Sequence, residues 1–171
     1  MKILAAALAL VLTGCATTDG LAPTVSRAGF DGARVVDIAP HGAACPGLPC
    51  EMLGAQWTSA RPGAAVLVLR ITGPKFVGVR GLRVSVDGAV RALLPAGLTR
   101  FDPGLGPLSR ESTQPFGVDL ALIRQITAAQ RVWLRVETLD GVSDVAVIDG
   151  ATDSKALHAL RRFLAQVDAQ Q

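Results

Sequence analysis

Between Pro40 and Met52 the chain reads PHGAACPGLPCEM, the one stretch behind the N-terminal segment that is rich in reactive side chains. The imidazole of His41, the thiols of Cys45 and Cys50 and the thioether of Met52 are donors that a soft cation such as Cu(I) accepts. Zinc fits less well, because a C-x4-C spacing with one upstream histidine lacks a fourth strong ligand. Covalent haem attachment needs a histidine after the second cysteine, and Glu51 stands there. A thiol–disulfide exchange centre uses C-x-x-C at a helix start, which this spacing also misses. Two uses of the thiols remain open: a metal, or a bond to each other.

Hydrolytic chemistry finds less to work with. His41 and His158 are the only histidines and there is no tyrosine. His158 lies beside Leu157 in a helical pattern, where a surface or boundary residue is expected before a base. No G-x-S-x-G, H-E-x-x-H or phosphate-cradling glycine loop occurs. Glu111 and Asp119 could form a carboxylate pair of the glycosidase kind. Nothing in the sequence brings the two together, so surface and helix-capping roles are expected of them. Gly104 to Pro107, in FDPGLGPLSRES, reads as an exposed loop. Trp57 and Trp133 are the largest side chains. Trp133 shares a strand face with Arg135, and such a face could bind glycan, anionic lipid or a protein, although burial in a core is the commoner use of tryptophan.

The elements that must position these residues are mostly strands. Ala33–Ala39 and Ala65–Thr72 are rich in β-branched residues, and Leu82–Val86 and Arg131–Thr138 alternate apolar with polar; Ser143–Ile148 follows as another strand. Asp-Gly occurs at 31, 87, 140 and 149, and the pairs at 87 and 140 lie between strands, as hairpin turns do. A loop of Asp140-Gly141 sets Val136 against Val145 and Leu134 against Val147. At Asp87-Gly88 a two-residue loop would place Arg91 against Val84, so a three-residue loop, Val86-Asp87-Gly88, is expected; it pairs Val84 with Val90 and sets Arg83 facing Arg91. Asp119–Gln130 reads as a helix capped by Asp119, with Leu120, Ile123 and Ile126 on one side. Asp153–Ala169 reads as a second helix, capped by Asp153 or Thr152, whose stripe of Leu157, Leu160, Leu164 and Val167 is bordered by Phe163. The fold class expected is α+β, mostly β: an antiparallel sheet or small β-sandwich with Asp-Gly hairpins, covered by the C-terminal amphipathic helix.

The first residues decide an address. Lys2 precedes an apolar run, Ile3–Leu12, of ten residues, about half of what spans a bilayer. Leu12-Thr13-Gly14-Cys15 resembles the lipobox of bacterial lipoproteins. That resemblance covers the export segment only and implies cleavage before Cys15 and lipidation of its thiol. Residue 16 is alanine rather than the aspartate that retains such proteins at the inner membrane, so the periplasmic face of the outer membrane is expected. Residues 1–14 are then a signal peptide, 15–29 a flexible tether and 30–171 one globular domain. In an oxidising compartment, with Cys15 lipidated, Cys45 and Cys50 are the two thiols left, and the Pro46–Pro49 segment between them bends easily; a disulfide is expected. The chain carries 17 basic and 14 acidic residues, net +3, with no run of like charge, which argues against nucleic-acid binding. No cofactor is implied. The function expected is structural or protein-interacting in the envelope, without catalysis, with a membrane partner through Cys15 and an envelope protein as second partner. Metal handling by His41, Cys45, Cys50 and Met52 is the alternative, and an envelope hydrolase the third.

Overall fold

The computed structural model describes residues 21–104, 106 and 109–171. Cys15 and the expected signal peptide lie outside them. Eleven strands and two helices follow in the order β1 (Thr24–Arg27), β2 (Arg34–Gly42), β3 (Cys50–Thr58), β4 (Ala64–Gly73), β5 (Val79–Val86), β6 (Ala89–Leu93), β7 (Arg100–Pro103), β8 (Arg110–Asp119), α1 (Leu120–Ala128), β9 (Arg131–Thr138), β10 (Gly141–Asp149), β11 (Thr152–Asp153) and α2 (Lys155–Asp168). They form a six-stranded sheet, β1-β2-β3-β4-β8-β7, and a five-stranded sheet, β11-β10-β9-β5-β6. Every pairing is antiparallel. The mostly-β class with a covering C-terminal helix is therefore observed.

Alternation explains which faces meet. Leu53, Ala55 and Trp57 of β3, Leu67 and Leu69 of β4 and Phe116 of β8 are buried on one face of the first sheet. Val84, Leu134, Val136 and Val145 do the same for the second sheet, and all join one core. Helix α2 packs on β2 and β3 and also touches α1 and β10. Its stripe of Leu157, Leu160, Leu164 and Val167 is buried, and Phe163, expected at the border, is fully enclosed. Ser154, not Asp153 or Thr152, caps this helix: its hydroxyl accepts from the Leu157 amide at 3.3 Å, while the two expected caps are spent in β11. Asp119 does occupy the N-cap position of α1, but its side chain makes no capping bond.

Both hairpin registers differ from those expected. Asp87 and Gly88 alone form the first loop, at φ 47° and 92°, so Val86 pairs with Ala89, Val84 with Arg91 and Leu82 with Leu93. The mismatch of Arg91 with Val84 is tolerated because β6 is an exposed edge strand with little core face to match. Arg83 consequently stands opposite Ala92 on β6 and not opposite Arg91. In the second hairpin the loop is Leu139-Asp140, with Thr138 paired to Gly141, so Val145 meets Leu134. That is a two-residue slip, which keeps the apolar faces aligned.

The domain also begins earlier than expected. Thr24–Arg27 pairs with β2 as an edge strand and Leu21 is buried in the core, so the last part of the supposed tether belongs to the sheet. All four residues of β1 are exposed, which leaves no apolar alternation to reveal it. In β2 the register shifts between Ile38 and His41, opposite Gly54. A Cβ on Gly54 would come within 2.5 Å of the Ile38 carbonyl oxygen, so this bulge admits only glycine.

Candidate interaction site

The chemically rich stretch and the Trp133 face, far apart in sequence, are adjacent. Strand β10 is paired along its length by β9 but only at Ile148 and Asp149 by β11. The loop between β2 and β3 covers part of the remaining edge: the Ala44 amide donates to the Ala146 carbonyl at 2.9 Å. Such a cover blocks edge-to-edge pairing with another chain. A disulfide between Cys45 and Cys50, with Cα atoms 5.2 Å apart, closes the loop. From the neighbouring strand Glu51, itself buried, reaches across the sheets and accepts from the Ser143 hydroxyl at 2.6 Å.

Beside this loop stands Trp133 on the outer face of the second sheet. Its cross-strand neighbours are Ser85 and Ala146, both small, so one side of the indole is left uncovered. The indole Nε1 donates to Asp149 Oδ2 at 3.3 Å, and Arg131 Nε pairs with the other oxygen of that carboxylate at 3.2 Å. The Arg131 guanidinium carbon lies 6.0 Å from the indole centroid. Arg135 and Asp144 face each other across the strands and make a bidentate pair at 2.8 and 2.7 Å. The hydrogen bond from Arg135 holds the Asp144 carboxyl below its usual range. Arg83, directly opposite Arg135 on β5, is neutralised by Glu137 at 2.9 Å. A depression of about 340 Å³ lies on one side of Trp133, lined by Arg83, Ser85, Val90, Arg135 and Asp144. A trough of about 710 Å³ lies on the other side, between the disulfide loop and β10. Trp133 and Asp144 border both.

The soft-metal set does not assemble. Both sulfurs are bonded to each other, and the Met52 sulfur accepts from the Thr72 hydroxyl at 3.4 Å. His41 pairs with Leu53 while Gly42 pairs with Met52, so the imidazole and the thioether belong to opposite faces. Among the described residues no three His, Cys, Asp or Glu side chains are grouped to hold a metal ion. The carboxylate pair fails as well. Glu111 and Asp119 sit at the two ends of β8, roughly 26 Å apart at the rise of a strand. Glu111 is engaged by Arg70 at 3.3 Å. His158, on α2, pairs with Asp153 at 2.8 Å. Trp57 is core, with its Nε1 donating to the Pro62 carbonyl at 3.0 Å.

Sequence reasoning missed Asp144 and Asp149 as partners of this face. Asp149 was hidden in an Asp-Gly pair that reads as a turn; Asp144 becomes visible only once the hairpin register is known. No family model matches this chain, and no curated protein and no solved structure matches it either. Among the described residues no helix is long and apolar enough to cross a membrane.

Proposed function

We propose that the chain is a bacterial envelope lipoprotein, held by a lipidated Cys15 at the periplasmic face of the outer membrane, whose β-rich domain is a non-catalytic module for binding a protein partner. The observation that carries the binding role is the Trp133 surface. A partly buried indole is fixed by Asp149, ringed by guanidinium groups already paired, and bordered by a loop that a disulfide closes. Tryptophan and arginine dominate the energetics of protein interfaces, and groups held in place beforehand lose little freedom on binding. The hollows beside Trp133 are open troughs rather than the enclosed clefts that small ligands favour, which supports a partner surface as the occupant. The envelope address rests on the Leu12–Cys15 motif and agrees with the Cys45–Cys50 disulfide, since such bonds persist in oxidising compartments.

A photo-crosslinking residue in place of Ser85, in intact cells, tests the binding role. One discrete adduct is expected, lost on Trp133→Ala and absent when the crosslinker replaces Lys155 on α2. Adducts of equal yield from both positions would overturn it. Palmitate labelling that disappears with Cys15→Ala tests the anchor.

A further inference from the structure

We propose that one end of the sandwich rests directly on the lipid bilayer, touching it through Leu48, Phe76, Phe101, Leu139 and Val142; this rests on the reading of Cys15 as the lipid anchor. The pairings place Gly42, Cys50, Gly73, Val79, Arg110, Thr138 and Gly141 at the same end. The loops emerging there carry an unusual apolar load. Leu48, Leu139 and Val142 are each about two-thirds exposed, and Phe76 and Phe101 nearly half. They are not scattered singly, as exposed apolar residues usually are. The two phenylalanine rings meet in a tilted contact with centroids 5.3 Å apart, and the Arg110 guanidinium lies over the Phe76 ring. Pro49 abuts Gly73, and a shallow hollow lined by Pro49, Lys75, Asp140 and Val142 joins the disulfide loop to the β4–β5 loop and the β9–β10 hairpin. The other exposed apolar residues are spread over the fold: Phe30 in the β1–β2 turn and Val90 on β6 at the opposite end, Val25 on β1, and Leu94 and Leu98 on the β6–β7 connection.

A second, independent observation names the occupant. Strand β1 runs antiparallel to β2 from Thr24, opposite Asp37, to Arg27, opposite Arg34, so the chain joins its sheet part-way along β2 and runs away from the Gly42 end. Leu21, three residues before β1, is buried in the core, and Cys15 is six residues before it. Six residues reach at most about 21 Å. A lipid on Cys15 therefore holds the domain close to the membrane, with this end toward it. Three of the cations near the loops are matched, Arg70 with Glu111, Lys75 with Asp140 and Arg100 with Asp102, and Arg80 beside Val79 is exposed. With three of these cations neutralised, contact is driven mainly by the apolar side chains and less by attraction to anionic headgroups.

The test uses the full-length, lipidated protein reconstituted in phosphatidylcholine vesicles that contain a phospholipid with a photoactivatable diazirine. Peptides carrying lipid adducts are then mapped by mass spectrometry. Adducts are expected at Leu48, Phe76, Phe101 and Leu139–Val142, several-fold above those at Phe30 and Val90, and unchanged by salt or by added phosphatidylglycerol. Leu139→Asp, at an exposed position, should lower the adducts at Phe76 several-fold without altering the melting temperature. The mass of the N-terminal peptide reports lipidation of Cys15 in the same sample. An unlipidated peptide overturns the anchor and this proposal together. A lipidated peptide with adducts spread evenly over both ends overturns this proposal alone, and adducts that appear only with phosphatidylglycerol and vanish in salt overturn its apolar basis.

Discussion

Where β5 turns into β6, the Asp87 carboxylate accepts from the amides of Gln130 and Arg131, at 3.1 and 2.8 Å, and ties the turn to the start of β9. Nearby, Gly63 accepts from the Leu120 amide, Pro62 from the Trp57 indole, and Arg131 pairs with Asp149. A groove of about 740 Å³ at this end is lined by Arg61, Arg91 and Asp119 among others. At the opposite end the loops are also secured, but their tips point apolar side chains at solvent and a covalent bond closes one of them. Polar fastening leaves an end that, outside Phe30 and Val90, water covers well. Apolar tips leave surface that water covers poorly, so the loops there need an independent device to hold their shape when nothing is bound.

Both ends rest on the same core, and Leu160→Ala is the substitution that should disturb them together. The side chain is fully buried on α2 beneath the first sheet. Its loss removes apolar contact and leaves a cavity, at a cost of about 2–5 kcal/mol. Denaturant unfolding should show the loss, and hydrogen exchange should accelerate at Arg131 and at Met52 alike. Faster exchange at one end only would mean that the two ends unfold as separate units.

How far the sequence could be read follows the same physics. The strands β2, β4, β5, β9 and β10, the inward stripe of α2 and the pairing of Cys45 with Cys50 were legible because each pattern has one dominant cause. The central strands β3 and β8 were not. In β8 the inward positions are Ser112, Gln114, Phe116 and Val118, so half of its core face is polar, and Pro115 interrupts it. Those polar groups are satisfied from distant loops: Ser112 takes the Val77 amide at 2.8 Å, and Gln114 bonds Thr99 and Gly97. No local rule announces such partners. The site was legible in its residues and not in its assembly. The Trp133–Arg135 face and the disulfide loop were each visible, whereas their adjacency depends on Ala44 meeting β10 across about a hundred residues.

Removing the covalent closure should sharpen the contrast between the ends. The double substitution Cys45→Ser with Cys50→Ser opens a loop of a few residues, and the chain-entropy model puts the cost at about 2 kcal/mol. Exchange should accelerate at Ala43, Ala44 and Met52, and the amides of Gln130 and Arg131 should keep their protection beyond the global change. Lipid adducts at Leu48 should fall relative to those at Leu139, whose hairpin the disulfide does not hold. Equal loss of protection at both ends would show that the bond constrains the whole domain and not the loop.

Asp87→Ala tests the other end and should cost less, about 1 kcal/mol, because hydrogen bonds to an exposed carboxylate compete with water. Two losses coincide in this variant. The Gln130 and Arg131 amides lose their acceptor, and alanine must hold the positive φ of 47° that aspartate tolerates better. Asp87→Asn keeps a side-chain oxygen and the tolerance of positive φ, so it should recover at least half of the lost stability. That ordering, wild type above Asn above Ala in denaturant midpoint, separates the fastening role from charge, since Asn and Ala remove the same charge. Equal midpoints for Asn and Ala would place the whole effect in the carboxylate's charge. A fall in protection at Met52 as large as that at Arg131 would mean that the far turn also supports the apolar end.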